Sequence, residues 1–218
     1  MPLEPSVIVM TTLRSITLDV TDPAASRAFL VAAFGLDHQI GVRASDAPST
    51  GFRGFTLSLV VAQPAIVNSL VGTALAAGAT TLKPPAKSFW GYGGVVQAPD
   101  GTIWKLASSA KKDTTAETRT IDQVALLLGV EDVKATKRFY VERGLDVAKS
   151  FGGKYVEFAT PGSPVTLALY GRRHLAKDAG VPVEGSGSHR IVLGTDAPAF
   201  ADPDGFAWET SASEVVTG

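Results

Sequence analysis

The feature that most constrains this chain is that it repeats itself. Val20-Thr21-Asp22 followed by Ala25-Ser26-Arg27-Ala28-Phe29-Leu30-Val31 returns 110 residues later as Val130-Glu131-Asp132 followed by Ala135-Thr136-Lys137-Arg138-Phe139-Tyr140-Val141. Both copies then reach Gly-Leu-Asp, at Gly35-Leu36-Asp37 and Gly144-Leu145-Asp146. A second echo closes each half: Ala98-Pro99-Asp100-Gly101-Thr102-Ile103-Trp104-Lys105 and Asp202-Pro203-Asp204-Gly205-Phe206-Ala207-Trp208-Glu209. A repeating unit that cannot bury its apolar face alone must stack on another copy, so the fold is built from like halves. The polar stretch between them reads as a linker at residues 110–119, dividing the chain into 1–109 and 120–218.

Each half mixes strands and helices. Ser15 to Val20 is β-prone, and Asp22 is placed to cap a helix that opens on Pro23 and stops at Gly35. Phe55, Leu57, Leu59 and Val61 alternate with polar residues in the period of a half-buried strand. Val67, Leu70, Val71, Ala74, Leu75 and Gly78 then recur at helical spacing. In the second half Val124 to Val130 predicts a strand, and Asp132 predicts a helix cap, the helix ending at Gly144. Further strands are expected at Tyr155–Phe158, Val165–Tyr170 and 190–193. Each Pro-Asp-Gly predicts a tight turn joining two strands, with Gly supplying the positive φ.

Composition removes several classes of chemistry. The 218 residues hold 20 Lys plus Arg against 21 Asp plus Glu, without the basic clustering that phosphate contacts demand, so nucleic acid is not expected as a partner. The absence of Cys excludes disulfides, thiolate metal sites and a Cys nucleophile. No apolar run is long enough to cross a bilayer, and Met1 to Thr12 lacks a basic n-region; a cytoplasmic protein with no membrane partner is expected. Gly91, Gly93 and Gly94 do not make a dinucleotide fingerprint, and Gly185-Ser186-Gly187-Ser188 lacks nucleophile-elbow spacing. Arg172-Arg173-His174 near Asp178 reads as charges on a short helix, and His38 as a solvated residue after a helix end.

A strand, an Asp-capped helix ending at Gly-Leu, further strands and a closing Pro-Asp-Gly-x-x-Trp segment together resemble the glyoxalase/bleomycin-resistance/extradiol-dioxygenase superfamily, the vicinal oxygen chelate proteins. The likeness runs from Ser15 to Glu209. Its most specific piece is Asp202 to Glu209, supported by Trp90-Gly91-Tyr92-Gly93-Gly94. The resemblance implies an α+β fold of tandem βαβββ modules in two domains, whose curved mixed sheets enclose a ligand cavity. Modules would begin near Ser15, Phe55, Val124 and His189. Two look short: few residues separate Leu36 from Phe55, and Asp196 to Ala199 leaves no room for a helix in the last.

Metal-dependent members of that superfamily hold a divalent ion through residues near the start of certain strands and a Glu on the closing strand. The corresponding starting positions here are Ser15, Phe55, Ala125 and His189, and the closing positions are Lys105 and Glu209. His189 and Glu209, with Gln123 standing in from the face of Ala125, form the candidate metal set for Fe, Mn, Zn or Ni. Lys105 replaces a ligand and offers an ammonium to an anion, or else simply reaches solvent. Phe52, Trp90, Tyr92, Trp104, Tyr170 and Trp208 are the candidate aromatic lining of a cavity, although core packing accounts for most of them equally well.

Three functions follow from the resemblance, with no catalytic residue assigned. The first is a binding protein for a small, largely apolar organic molecule, without a catalytic metal. The second is a metal-dependent lyase, isomerase or dioxygenase using His189 and Glu209. The third is a non-catalytic interaction protein. A homodimer stays open.

Overall fold

The computed structural model describes residues 11–114 and 119–211; residues 1–10, 115–118 within the expected linker, and 212–218 lie outside the described residues. The first unit contains β1 (Leu13–Val20), α1 (Pro23–Phe34), β2 (Gly41–Ala44) and β3 (Ser49–Gly51). The second contains β4 (Phe55–Val60), α2 (Pro64–Ala76), β5 (Thr80–Ser88), β6 (Gly91–Gln97) and β7 (Ile103–Ser108). The third contains β8 (Gln123–Val130), α3 (Val133–Glu142), β9 (Val147–Phe151), β10 (Tyr155–Phe158) and β11 (Val165–Gly171). After α4 (Arg172–Ala179) and β12 (Gly185–Gly187) comes the fourth, with β13 (Ile191–Thr195), β14 (Phe200–Ala201) and β15 (Ala207–Thr210) and no helix among the described residues.

One rule unites the four units: the first strand of each runs parallel beside its closing strand. The pairs are β1 with β2, β4 with β7, β8 with β11 and β13 with β15. In the first unit β2 has therefore moved up into the closing position, and the intervening hairpin is missing. The leftover β3 pairs, among the described residues, with β12 alone, in a separate two-stranded ribbon. Antiparallel pairing of first strands joins the units two by two. The β4–β8 pair fuses the second and third into the eight-stranded sheet β5-β6-β7-β4-β8-β11-β10-β9, and β1–β13 fuses the first and fourth into β14-β15-β13-β1-β2. Each sheet thus joins a unit from the first half of the sequence to one from the second, across the 110–119 segment.

Local chemistry explains the helix ends. The Asp22 carboxylate accepts from the Ala25 amide at 3.0 Å, and Gly35 ends α1 at φ 71°. Asp132 accepts from Lys134 and Ala135 at 2.9 and 3.1 Å. Such caps are each worth about 1 kcal/mol. The third helix stops at Glu142, slightly short of the expected Gly144, because Arg143 already leaves helical hydrogen bonding. Gln63 at the start of α2 makes no capping bond, and Asp113 supplies one from afar, its carboxylate accepting from Ala65 at 2.7 Å. On α2, Val67, Leu70, Val71 and Ala74 are buried as the spacing predicts, but Leu75 faces solvent and Gly78 falls beyond the helix.

The core is continuous across both sheets, running through Ile16, Leu18, Leu57, Leu126, Leu167 and Leu193 beneath the helices. Fully burying a side chain of this size contributes roughly 1.5–3 kcal/mol. The two Pro-Asp-Gly turns form as expected, with Gly101 at φ 86° and Gly205 at φ 87°, and each delivers a tryptophan to the core. Their surroundings differ. The Trp208 indole donates to the Tyr140 hydroxyl at 3.2 Å, and that hydroxyl donates to Asp202 at 2.7 Å. In the first half Leu30 and Ala98 stand where Tyr140 and Asp202 do, and the buried Trp104 indole N–H has no partner.

Candidate functional site

Alternation along the strands gives the eight-stranded sheet two unlike faces. Phe55, Leu57 and Leu59 pair with Leu128, Leu126 and Val124 on the face that packs into the core under α2 and α3. The opposite, inner face carries a row drawn from four strands: Lys105 on β7, Ser58 on β4, Ala125 on β8 and Thr166 on β11. Phe55, expected at a ligand position, lies on the core face, since a one-residue offset in a strand exchanges the faces.

The inner face is partly filled by the helix α4. Leu175, Ala176 and Ala179 join Phe52, Val95 and Ile103 in a second apolar cluster, with Leu127 and Tyr170 against it. Gly129 permits this approach. A Cβ there would meet the Gly54 carbonyl oxygen at 2.9 Å, a Leu175 methyl at 3.1 Å and the Arg172 Cα at 3.2 Å. Two lysines of the sheet fasten the last turn of α4. The Lys83 ammonium donates to the carbonyls of Lys177 and Asp178, both at 2.7 Å, and Lys105 forms an ion pair with the Asp178 carboxylate. Cations at a helix C-terminus satisfy its open carbonyls.

Beyond the end of α4 a cavity of about 340 Å³ remains on this face, lined by Lys83, Ala86, Trp90, Gly93, Lys105 and Asp178 among others. Its floor is built from small side chains, and Trp90 stands at its edge on the β5–β6 turn with 83% of its surface exposed. Larger hollows of about 570 and 580 Å³ lie along α1. The first is lined largely by alanines and the Pro99-Asp100 turn, and neither lies at the row of Lys105.

The aromatic candidates separate clearly. Trp90 and Lys105 meet at the cavity. Tyr92 borders it, but its ring turns toward α2, where the hydroxyl donates to the Asn68 side chain at 2.9 Å. Trp104 and Trp208 are fully buried in the core, against Phe34 and Tyr140 respectively. Phe52 lies under α4, and Tyr170 stacks edge-on with His174. Burial, followed by the nearby Asp178 charge, raises the Tyr170 hydroxyl above its ordinary pKa.

The candidate metal ligands are held apart. The His189 Nδ1 lies 2.5 Å from the Arg53 carbonyl oxygen and its Nε2 lies 3.0 Å from that of Asp204, while the ring stacks on Phe206. Both nitrogens therefore already face acceptors. Glu209 is level with Gly194 and Ser15 on the five-stranded sheet, and its oxygens accept from Arg43 at 2.9 and 3.3 Å. Arg43 also binds Asp19 at 2.9 Å, and these hydrogen bonds, that to Asp19 first, raise its pKa further above the ordinary value. Gln123 sits on the other sheet, donating to the Thr166 hydroxyl at 2.7 Å. Among the described residues no three His, Asp or Glu side chains converge as a metal-binding group. The donor set in this arrangement does not fit a divalent ion, and no chemical step is assigned to one.

Solved structures share this architecture. Glyoxalase I from Zea mays aligns with a TM-score of 0.57 at 15% identity, over 91% of this chain and 91% of that one. A putative dioxygenase from Bacillus subtilis aligns with a TM-score of 0.56 at 12% identity, over 92% of this chain and 84% of that one. The chain shares the fold of these glyoxalase I and dioxygenase structures. No family model matches the sequence, and no curated protein matches it. At these identities the likeness concerns architecture, and function has to be argued from the site itself.

Two neighbours of the candidate residues, Lys83 and Arg43, were not singled out in the sequence, and Asp178 was read only as a charge near a short helix. Lys105 and Asp178 are 73 residues apart, and Arg43 and Glu209 are 166 apart. The only signal for Asp178 was the charged run after β11, which a solvated helix explains equally well. No helix in the described residues is long and apolar enough to cross a membrane.

Proposed function

We propose that this protein binds a small, planar, largely apolar organic molecule in the inner-face cavity between the β5–β6 hairpin and the C-terminal turn of α4. The observation that carries this reading is the meeting of Trp90 and Lys105 at a cavity on the face that the fold builds around ligands. Gly93, Ala86 and Ala107 leave a floor without bulk, and Trp90 offers an exposed indole, with the Phe89 ring edge-on beside it at 5.0 Å. Stacking on such a ring contributes about 0.5–1.5 kcal/mol beyond area burial. Lys105 at the closing position, already paired with Asp178, offers a charge to recognise rather than a lone pair to coordinate.

The test is calorimetric titration of aromatic compounds into the wild type, Trp90→Ala and His189→Ala. Trp90→Ala should weaken binding about tenfold, a change of about 1.4 kcal/mol. His189→Ala, whose ring joins backbone carbonyls away from the cavity, should leave the dissociation constant unchanged. Equal losses from both substitutions, or a divalent ion bound tightly by the wild type and lost in His189→Ala, would contradict the proposal.

A further inference from the structure

We infer that the ligand is a planar anion whose acidic group takes Lys105 from Asp178. This rests on the cavity proposed above and adds the chemical class of what enters it. Lys83 and Lys105, both level with Val95 on the inner face, border the cavity against the single carboxylate of Asp178. Two ammonium groups to one carboxylate leave the site with an excess of positive charge.

Asp178 is also badly placed to keep its lysine. It lies in the last turn of α4, where the helix dipole and open carbonyls disfavour a negative charge. The side chains of Lys105 and Asp178 are 34% and 41% exposed. A pair as exposed as this contributes only about 0–1 kcal/mol, so separating it costs little. An incoming carboxylate, arriving with an apolar ring that excludes water, makes a stronger charge-assisted bond to the same ammonium. Lys83 stays on the carbonyls of Lys177 and Asp178, so the helix remains seated while the Asp178 side chain swings out to solvent.

The experiment uses the full chain and two probes of equal ring size, 2-naphthoate and 2-naphthylmethanol, titrated calorimetrically. The naphthoate should bind more tightly than the alcohol, and Asp178→Asn should tighten naphthoate about threefold to tenfold by freeing Lys105. Lys105→Met should weaken naphthoate about tenfold, and neither substitution should move the alcohol more than about twofold. Equal binding of the two probes, or weaker naphthoate binding in Asp178→Asn, overturns the anion assignment while leaving the cavity in place. Failure of both probes to bind overturns the cavity reading itself.

Discussion

Replacing Tyr140 by Phe isolates the polar network that separates the second half of this chain from the first. The ring survives, so its edge contacts with Phe158 and Trp208, with centroids 5.5 and 5.6 Å away, are retained. What is lost is one hydroxyl that donates to Asp202 and accepts from Trp208. Asp202 keeps the amides of Asp204 and Phe206 on its other oxygen, at 2.9 and 2.8 Å, but the oxygen that faced Tyr140 loses that bond in a residue only 6% exposed. A hydrogen bond to a charged group is worth about 1.5–3 kcal/mol, and a stranded buried donor costs about 1–3 kcal/mol. With partial relaxation the expected loss is about 3 kcal/mol, a large share of the roughly 5–15 kcal/mol that holds a domain together. Urea unfolding at neutral pH should show the midpoint falling by about 1 M with the slope unchanged. The deficit should also depend on pH. Burial raises the Asp202 pKa and the Tyr140 bond opposes it, so removing the hydroxyl raises that pKa further. A raised carboxyl pKa favours the folded state while protonated and costs stability as pH climbs through it, so the deficit should be smaller near pH 4 than near pH 7. A loss below about 0.5 kcal/mol, or one independent of pH, would refute the reasoning.

Trp104→Phe provides the converse case: its indole N–H is already unpaired, so the same urea assay should show a loss near the about 1 kcal/mol of a modest core change, well below that of Trp208→Phe. Alkaline pH should destabilise the fold. The Tyr140 and Tyr155 hydroxyls are raised by burial first and by their carboxylate partners next. The folded state thus holds protons that the unfolded chain releases near pH 10, and melting temperature should hold below about pH 10 and fall above it. Gly129→Ala would press a methyl into the Gly54 carbonyl and the base of α4, so proteolysis or hydrogen exchange should show α4 loosened from the sheet while β8 and β11 stay protected.

What the sequence reveals about this protein is whatever is encoded by neighbours. Asp22 and Asp132 declare helix starts because a cap and the amides it binds lie within three residues. Gly101 and Gly205 declare turns because only a positive φ closes them. The shortness of the first and fourth units is visible in residue counts alone. The way the first unit shortens is not, since β2 takes the closing position through its pairing with β1 and nothing in Gly41–Ala44 announces it. Strand parity was equally hidden: Phe55 occupies a plausible ligand position by counting, yet faces the core because its pairing with Leu128 fixes the face. The site depends on contacts made by folding. α4 shows an ordinary charged surface in sequence, and only Leu175, Ala176 and Ala179 turn inward to fill part of the inner face. Trp90 stood out among glycines, whereas Trp104 and Trp208 are near-identical to it in composition terms and belong to the core.

The most direct measurement of the central claim exploits these three tryptophans, one exposed and two buried. In a ¹H–¹⁵N spectrum their indole groups give three separate signals, assigned by Trp90→Phe, Trp104→Phe and Trp208→Phe. On titration with 2-naphthoate, the Trp90 signal should shift saturably while those of Trp104 and Trp208 remain in place. Saturable shifts at Trp104 or Trp208 with Trp90 unmoved would put the ligand elsewhere and contradict the inner-face cavity as the site.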